Sequence, residues 1–275
     1  MLFIDAQLLK FKTEFENAII SNGVKGKESI IRSSMLINLI HDAVKYELIQ
    51  QGVDPNQVYP HFGETKPELK IAGFLKQKDQ DVCVAPKSIQ KTPRKITWGP
   101  LANEDVTDTY GEEYTRNTLV INVRSQMSSI AKNTDTLFER TFAEALNLHM
   151  MYKDIVLGEV YLIPVYEYDE ATMDARKISF KTHQTNIAKY ISFFAAVNRR
   201  TEKNDELYKY ERCALLVVDF REKQPMLYRT TAQLIHKGLL PKDFPIELAD
   251  LSFDSFANDI LASYQSRFIL QNLMK

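Results

Sequence analysis

The sequence predicts a mixed α/β fold, with a central mixed β-sheet flanked by helices. Short runs rich in β-branched and aromatic residues, at 118–124, 155–166 and 213–220, are too apolar for surface strands and read as buried ones. Between them lie stretches whose apolar residues recur at helical spacing. The two patterns alternate along the chain instead of segregating into blocks, which favours helices packed on one sheet. With 275 residues, of which 44% are apolar and 26% charged, the chain can bury a substantial core. Nine glycines and ten prolines leave little for linkers, so one domain over 1–275 is expected.

In order, a helix is predicted over roughly residues 5–21, broken by Ser21-Asn-Gly-Val-Lys-Gly26. A second follows over 28–51, where Leu36, Leu39, Ile40 and Ala43 keep helical spacing and Gly52 stops it. Strands at 68–75 and 81–85 are joined by a charged connection. The polar segment 86–111, studded with Pro86, Pro93, Gly99 and Pro100, reads as a long loop of the kind that is functional or mobile. A strand over 118–124 precedes a helix over 134–150. The run 155–166 reads as a central strand that meets an edge at Pro164. A strand near 178–181, a helix over 186–199 and a strand over 213–220 follow. Short helices begin near Thr231 and Phe253, the latter running to the C-terminus.

Composition excludes several classes. Lys plus Arg number 35 and Asp plus Glu 36, so any nucleic-acid site must be a local basic patch. The two cysteines, Cys83 and Cys213, each lie in an apolar run, which argues against a disulfide framework or a structural zinc. Five scattered histidines show no zinc spacing, and no phosphate-binding glycine loop or nucleophile elbow occurs. The start Met1-Leu-Phe-Ile-Asp lacks the basic and apolar regions of a signal peptide, and no run is long enough to span a membrane. A soluble, cytoplasmic protein without a membrane partner is expected.

The chemistry centres on Lys76-Gln-Lys-Asp-Gln-Asp81-Val-Cys-Val-Ala-Pro86 and Thr118-Leu-Val-Ile-Asn-Val-Arg-Ser-Gln126. Asp81 opens an apolar strand among Lys70, Lys76, Lys78 and Lys87, and can hold a divalent ion beside a phosphate; a turn aspartate is the plain alternative. Alternation puts Asn122 and Arg124 on one face of their strand, with Gln126 beyond, able to reach a base edge or the backbone. On the helix that follows, Glu139 and Glu144 border the apolar arc on opposite sides; Glu139 is favoured, and Glu144 pairs with Arg140 at the surface. Glu47 falls on the apolar stripe of its helix and needs a cation or donors, with Lys45 on the wrong face. Glu68-Leu-Lys70 is a fallback source of a second carboxylate. Lys87, Lys91, Arg94 and Lys95, with Trp98, form a basic loop suited to the DNA backbone.

Together these residues resemble the restriction-endonuclease-like, PD-(D/E)XK, nuclease superfamily over roughly 28–165, with 166–275 as an extension on the same sheet. Glu47 resembles the helix glutamate, Asp81 in Gln80-Asp-Val-Cys-Val the metal aspartate, and Ile121-Asn-Val-Arg-Ser-Gln126 the third-strand motif. The wider pattern, with Phe138-Glu-Arg-Thr-Phe-Ala-Glu144 and Gly158-Glu-Val-Tyr-Leu-Ile-Pro164, is similar to Type II restriction endonucleases. Two positions depart: Asn122 stands where the acid is expected and Arg124 where the lysine is. Asn cannot replace a charged ligand, and Arg does not titrate. Some members carry the second carboxylate on the following helix, where Glu139 lies. The resemblance thus implies Mg²⁺ bound by Asp81 and Glu139, Arg124 stabilising the phosphate in flight, 5′-phosphate ends, a double-stranded DNA substrate and a homodimer. The departures also leave open a catalytically degenerate DNA-binding or partner subunit, or an unrelated α/β interaction protein.

Overall fold

The computed structural model describes residues 2–202, 204 and 206–275. Helix α1 (Phe3–Arg32) buries Ile4, Leu8, Phe11, Phe15 and Ile19 along one stripe. The predicted break is a kink inside it: Asn22 and Gly23 leave helical geometry and the helix then resumes. Gly23 has φ +55°, and a Cβ there would lie 2.8 Å from the Met173 carbonyl oxygen, so this close crossing requires glycine. The helix-to-helix break falls later, at Ser33-Ser34, before α2 (Met35–Gln50).

Next come β1 (Val58–Tyr59), β2 (Leu69–Ala72), β3 (Gln77–Gln80) and β4 (Val82–Val84). The charged connection expected between two strands is itself strand β3, which pairs with β2 as a separate antiparallel hairpin. The predicted long loop holds a small ladder of β5 (Arg94–Lys95) with β6 (Thr107–Asp108). Then follow α3 (Glu112–Arg116), β7 (Leu119–Ser125), α4 (Ile130–His149) and β8 (Val156–Pro164). Pro164 closes β8 while paired with Val218, so it ends a central strand and marks no edge. Around 178–181 only an isolated bridge, Tyr168 to Phe180, forms, after the short α5 (Glu170–Met173). The chain finishes with α6 (Ile187–Val197), β9 (Arg212–Asp219), β10 (Met226–Tyr228), α7 (Thr231–His236) and α8 (Phe253–Gln265). Helix α8 stops at Gln265 instead of running on, and a separate 3-10 turn forms at Leu270–Asn272.

The fold is the expected mixed α/β one: a six-stranded sheet in the order β1-β4-β7-β8-β9-β10. Strands β1, β4 and β7 run antiparallel to their neighbours, β7, β8 and β9 run parallel, and β10 is antiparallel to β9. Alternation divides the side chains between two cores. Val82, Ile121, Val123, Val160 and Leu216 face α1, α2 and α8. Cys83, Val120, Leu157, Tyr161 and Leu215 face α4 and α6. Each large apolar side chain withdrawn from water contributes about 1.5–3 kcal/mol. All nine residues of β8 are buried, as expected of a strand covered on both sides. Both cysteines are free and buried. Among the described residues no helix is long and apolar enough to cross a membrane.

Candidate functional site

Parity places Asn122, Arg124 and Glu159 on the α4 side of the sheet, a face otherwise lined by apolar side chains. Asp81 sits at the turn between β3 and β4, and its Oδ2 accepts the Val123 N–H at 2.9 Å. It therefore lies at the end of the β4–β7 ladder, whose last pair is Val82 with Ile121. One strand further, Asn122 and Glu159 are Cα partners. Arg124 brings Nε to 3.2 Å from Glu159 Oε1, and its Nη1 donates to Thr141 Oγ1 of α4 at 3.4 Å.

Glu159 is fully buried, and among the described residues neither of its oxygens accepts a well-aligned hydrogen bond. Burial pushes its carboxyl up to about 7; Arg124 opposes that, while Asp81 adds to it. Arg124 is held protonated because Glu159, with Tyr210, Glu144 and Asp81, outweighs the opposing effect of burial.

Glu144 closes the cluster from above. It is buried, and its two oxygens receive Lys76 Nζ at 3.1 Å and Lys78 Nζ at 3.2 Å. Burial alone would raise its carboxyl, but Lys78, Arg124 and Lys76 together hold it below the ordinary value. Lys78 also reaches Asn122 Oδ1 at 3.5 Å, so this one cation touches both the acid and the amide. The lysines arrive on the β2–β3 hairpin, which Asn147 of α4 fastens. Its carbonyl oxygen accepts Phe74 N–H at 2.7 Å, and its Oδ1 accepts Leu75 N–H at 2.7 Å and Lys76 N–H at 3.2 Å. A Cβ on Gly73 would lie 2.3 Å from Asn147 Nδ2, so the hairpin seats only with glycine there.

Asp81 and Arg124 thus lie near one another, while several other candidate residues lie elsewhere. Glu139 is exposed; at about 100° per residue it points away from Thr141 and Ala145, which face the sheet. Glu144, expected to pair with Arg140 at the surface, is the acid turned inward. Glu47 is half-buried and its carboxyl is raised by burial and then by Asp254 of α8, with no influence from Asp81. Leu36, Leu39, Ile40 and Ala43 are buried on α2 as expected, but Lys45, expected on the wrong face, is buried too, held by Asp42 at 3.1 Å and by the carbonyls of His61 and Glu64. The α2 residue that feels Asp81 is His41: burial lowers its pKa, with Asp81 opposing, and its Nε2 has no partner among the described residues. Glu68 pairs with Lys66.

Gln126 is buried and saturated, which removes it from any DNA surface. Its Nε2 donates to the carbonyls of Ser129 and Ile130, and its Oε1 accepts Tyr161 and Tyr190 hydroxyls at 3.2 and 2.8 Å. The basic loop is largely self-compensated. Arg94 binds Asp108 and Glu112 and stacks on Trp98, and Lys95 binds Asp105. Lys91 covers the rings of Tyr110 and Tyr114, and Lys87 donates to the Met274 carbonyl. Lys87, Lys91 and Lys95 remain exposed.

Among the described residues no group of three His, Cys, Asp or Glu side chains is arranged to hold a metal ion alone. A cavity of about 410 Å³ opens beside β9 and β10, lined by Tyr166, Asp219, Arg221, Met226 and Tyr228; it excludes the cluster. No protein-family model, curated protein or solved structure matches the chain.

Proposed function

We propose that this chain is a Mg²⁺-dependent endodeoxyribonuclease with a restriction-endonuclease-like core, acting on double-stranded DNA as a sequence-specific homodimer. The observation that carries the reading is the gathering of Asp81, Glu144, Lys78 and Arg124 near Asn122 from three segments, β3 with the turn after it, β7 and α4. A nuclease motif with its acid and lysine lost from β7 regains both charges in space: the acid from α4 and the lysine from β3.

The donor chemistry fits magnesium. The ion favours hard oxygens, keeps several waters and needs only one or two carboxylates. Asp81 has one oxygen on the Val123 amide, and the other has no hydrogen bond among the described residues. Glu144 would serve as the second carboxylate once a DNA phosphate draws Lys76 and Lys78 away. When bound, the ion would supply a water acidic enough to attack at neutral pH. Lys78 and Arg124 would hold the scissile phosphate and offset the negative charge it gains.

The test is incubation with unmethylated plasmid or phage DNA and Mg²⁺, followed by mapping of fragment ends. Discrete fragments with 5′-phosphates that vanish in Asp81→Ala are expected. Undiminished cleavage by Asp81→Ala would exclude the assignment. A second reading, a degenerate DNA-binding or partner subunit, is favoured by one observation: both Glu144 oxygens are already occupied by lysines. Salt-dependent DNA retention without any cleavage would select it.

A further inference from the structure

We propose that Glu159 positions Arg124 for an anionic group and that binding of the anion draws a proton onto Glu159. The argument starts from burial. A fully buried carboxylate normally collects several donors, yet among the described residues Glu159 meets only the Arg124 guanidinium, in a 3.2 Å contact too poorly aligned to be a hydrogen bond. Arg124 in turn is pinned on two sides, Nε by Glu159 and Nη1 by Thr141. Its Nη2 has no partner among the described residues, and its side chain retains 16% exposure. The cation is therefore aimed, and its charge is shared between the acid behind it and whatever anion reaches its outer edge.

The surroundings make that sharing depend on protons. Facing Glu159 are Asp81 from the β3–β4 turn, Lys78 from β3, Arg124 on its own face of β7, and Glu144 from α4. Tyr161 of β8, Tyr210 before β9 and Cys213 on β9 complete the shell, all three held neutral by burial. The carboxyl titrates near neutrality because burial opposes its charge more than Arg124 and Lys78 favour it. A second anion brought to Arg124 repels the Glu159 charge across a poorly solvated gap. Glu159 then takes up a proton from solvent and becomes a neutral carboxylic acid, and Arg124 gives its whole charge to the ligand. No other bond changes. The inference rests on the reading above only in taking the anion to be a DNA phosphate.

The test uses two probes that do not themselves titrate near neutrality, sulfate and a short DNA duplex in EDTA. Each is titrated calorimetrically in buffers of different ionisation heat. Proton uptake is expected with both, and affinity should fall about tenfold between about pH 6 and 8, the effect of roughly one unit of coupling. Glu159→Gln, a neutral isostere, should bind tightly across that range without proton uptake; Glu159→Ala should bind weakly throughout. Proton uptake that persists in Glu159→Gln would overturn the proposal, as would an equal loss in both variants. If neither variant folds, carboxyl NMR of the unaltered protein decides. A Glu159 resonance that titrates near neutrality and shifts upward with sulfate supports the proposal, and one that does not titrate there overturns it. Coupling with sulfate but no DNA binding would keep the proposal and remove the nuclease reading.

Discussion

Asn122 on β7 and Glu159 on β8 are register partners, which sets a fully buried carboxyl beside an uncharged amide. One consequence is a stability that varies with pH. The Glu159 carboxyl is raised from 4.5 to about 7 in the fold. A proton on it therefore stabilises the folded state: the contribution is fully present below about pH 4.5 and is lost as pH rises through 7. It amounts to about 3 kcal/mol. Chemical denaturation from pH 4 to 8 should show this loss in the unaltered protein and a flatter profile in Glu159→Gln. Parallel profiles would mean that Glu159 is ionised throughout.

The hairpin that delivers the lysines depends on a contact with no room to spare. Gly73→Ala forces a methyl onto Asn147, and neither the backbone nor the amide can retreat without losing the Phe74, Leu75 or Lys76 bonds. Such overpacking costs about 1–3 kcal/mol. Because the core strands are untouched, circular dichroism should stay near normal while salt-sensitive DNA affinity falls. Normal affinity in Gly73→Ala would show that the hairpin does not set the site.

The sheet was readable because its central strands are near-continuous apolar runs, and Asp81 and Arg124 because each breaks such a run at an end. Lys78 was legible as one of the lysines near Asp81, but its strand was not: Gln77–Gln80 has no apolar alternation and, half-exposed and edge-paired, resembles a charged connection. Glu144 was obscured by the site itself. The sheet-facing side of α4 carries Thr134, Thr141 and Glu144, so an apolar arc drawn through Phe138 and Phe142 is rotated outward. Phe142 is in fact 39% exposed and stacks on Tyr208. Glu159 was hidden for the opposite reason, as one polar residue inside an apolar strand.

A second buried acid should act with the opposite sign to Glu159. Glu211 accepts Arg200 at 2.9 Å, Arg267 at 2.7 Å and Leu157 N–H at 2.7 Å, with His149 Nε2 3.6 Å away. Burial would raise its carboxyl, but His149, Arg267 and the Leu157 amide outweigh it and hold it at about 2. Its stabilising effect is present above the unfolded value of 4.5 and disappears as pH falls through about 2. Glu211→Gln removes the buried carboxylate that Arg200 and Arg267 share and should cost roughly 3–5 kcal/mol at neutral pH. An unaltered denaturation midpoint would show that the network is solvated.

Lys78 and Lys76 touch the same carboxylate, yet the two should not be equivalent. Lys76 keeps 55% of its side chain exposed, so its pairing with Glu144 is screened and worth little. Lys78 is 25% exposed and is the one that also reaches Asn122. Lys76→Ala should therefore lower DNA affinity slightly and uniformly. Lys78→Ala should reduce the salt slope of binding by about one and slow any cleavage on the order of a hundredfold, since a preorganised charge at the phosphate is lost. It should also let the Glu144 carboxyl rise, because Lys78 is one of the cations that hold it down against burial. Equal effects of the two substitutions would place the phosphate outside the cluster, on the solvent side of both lysines.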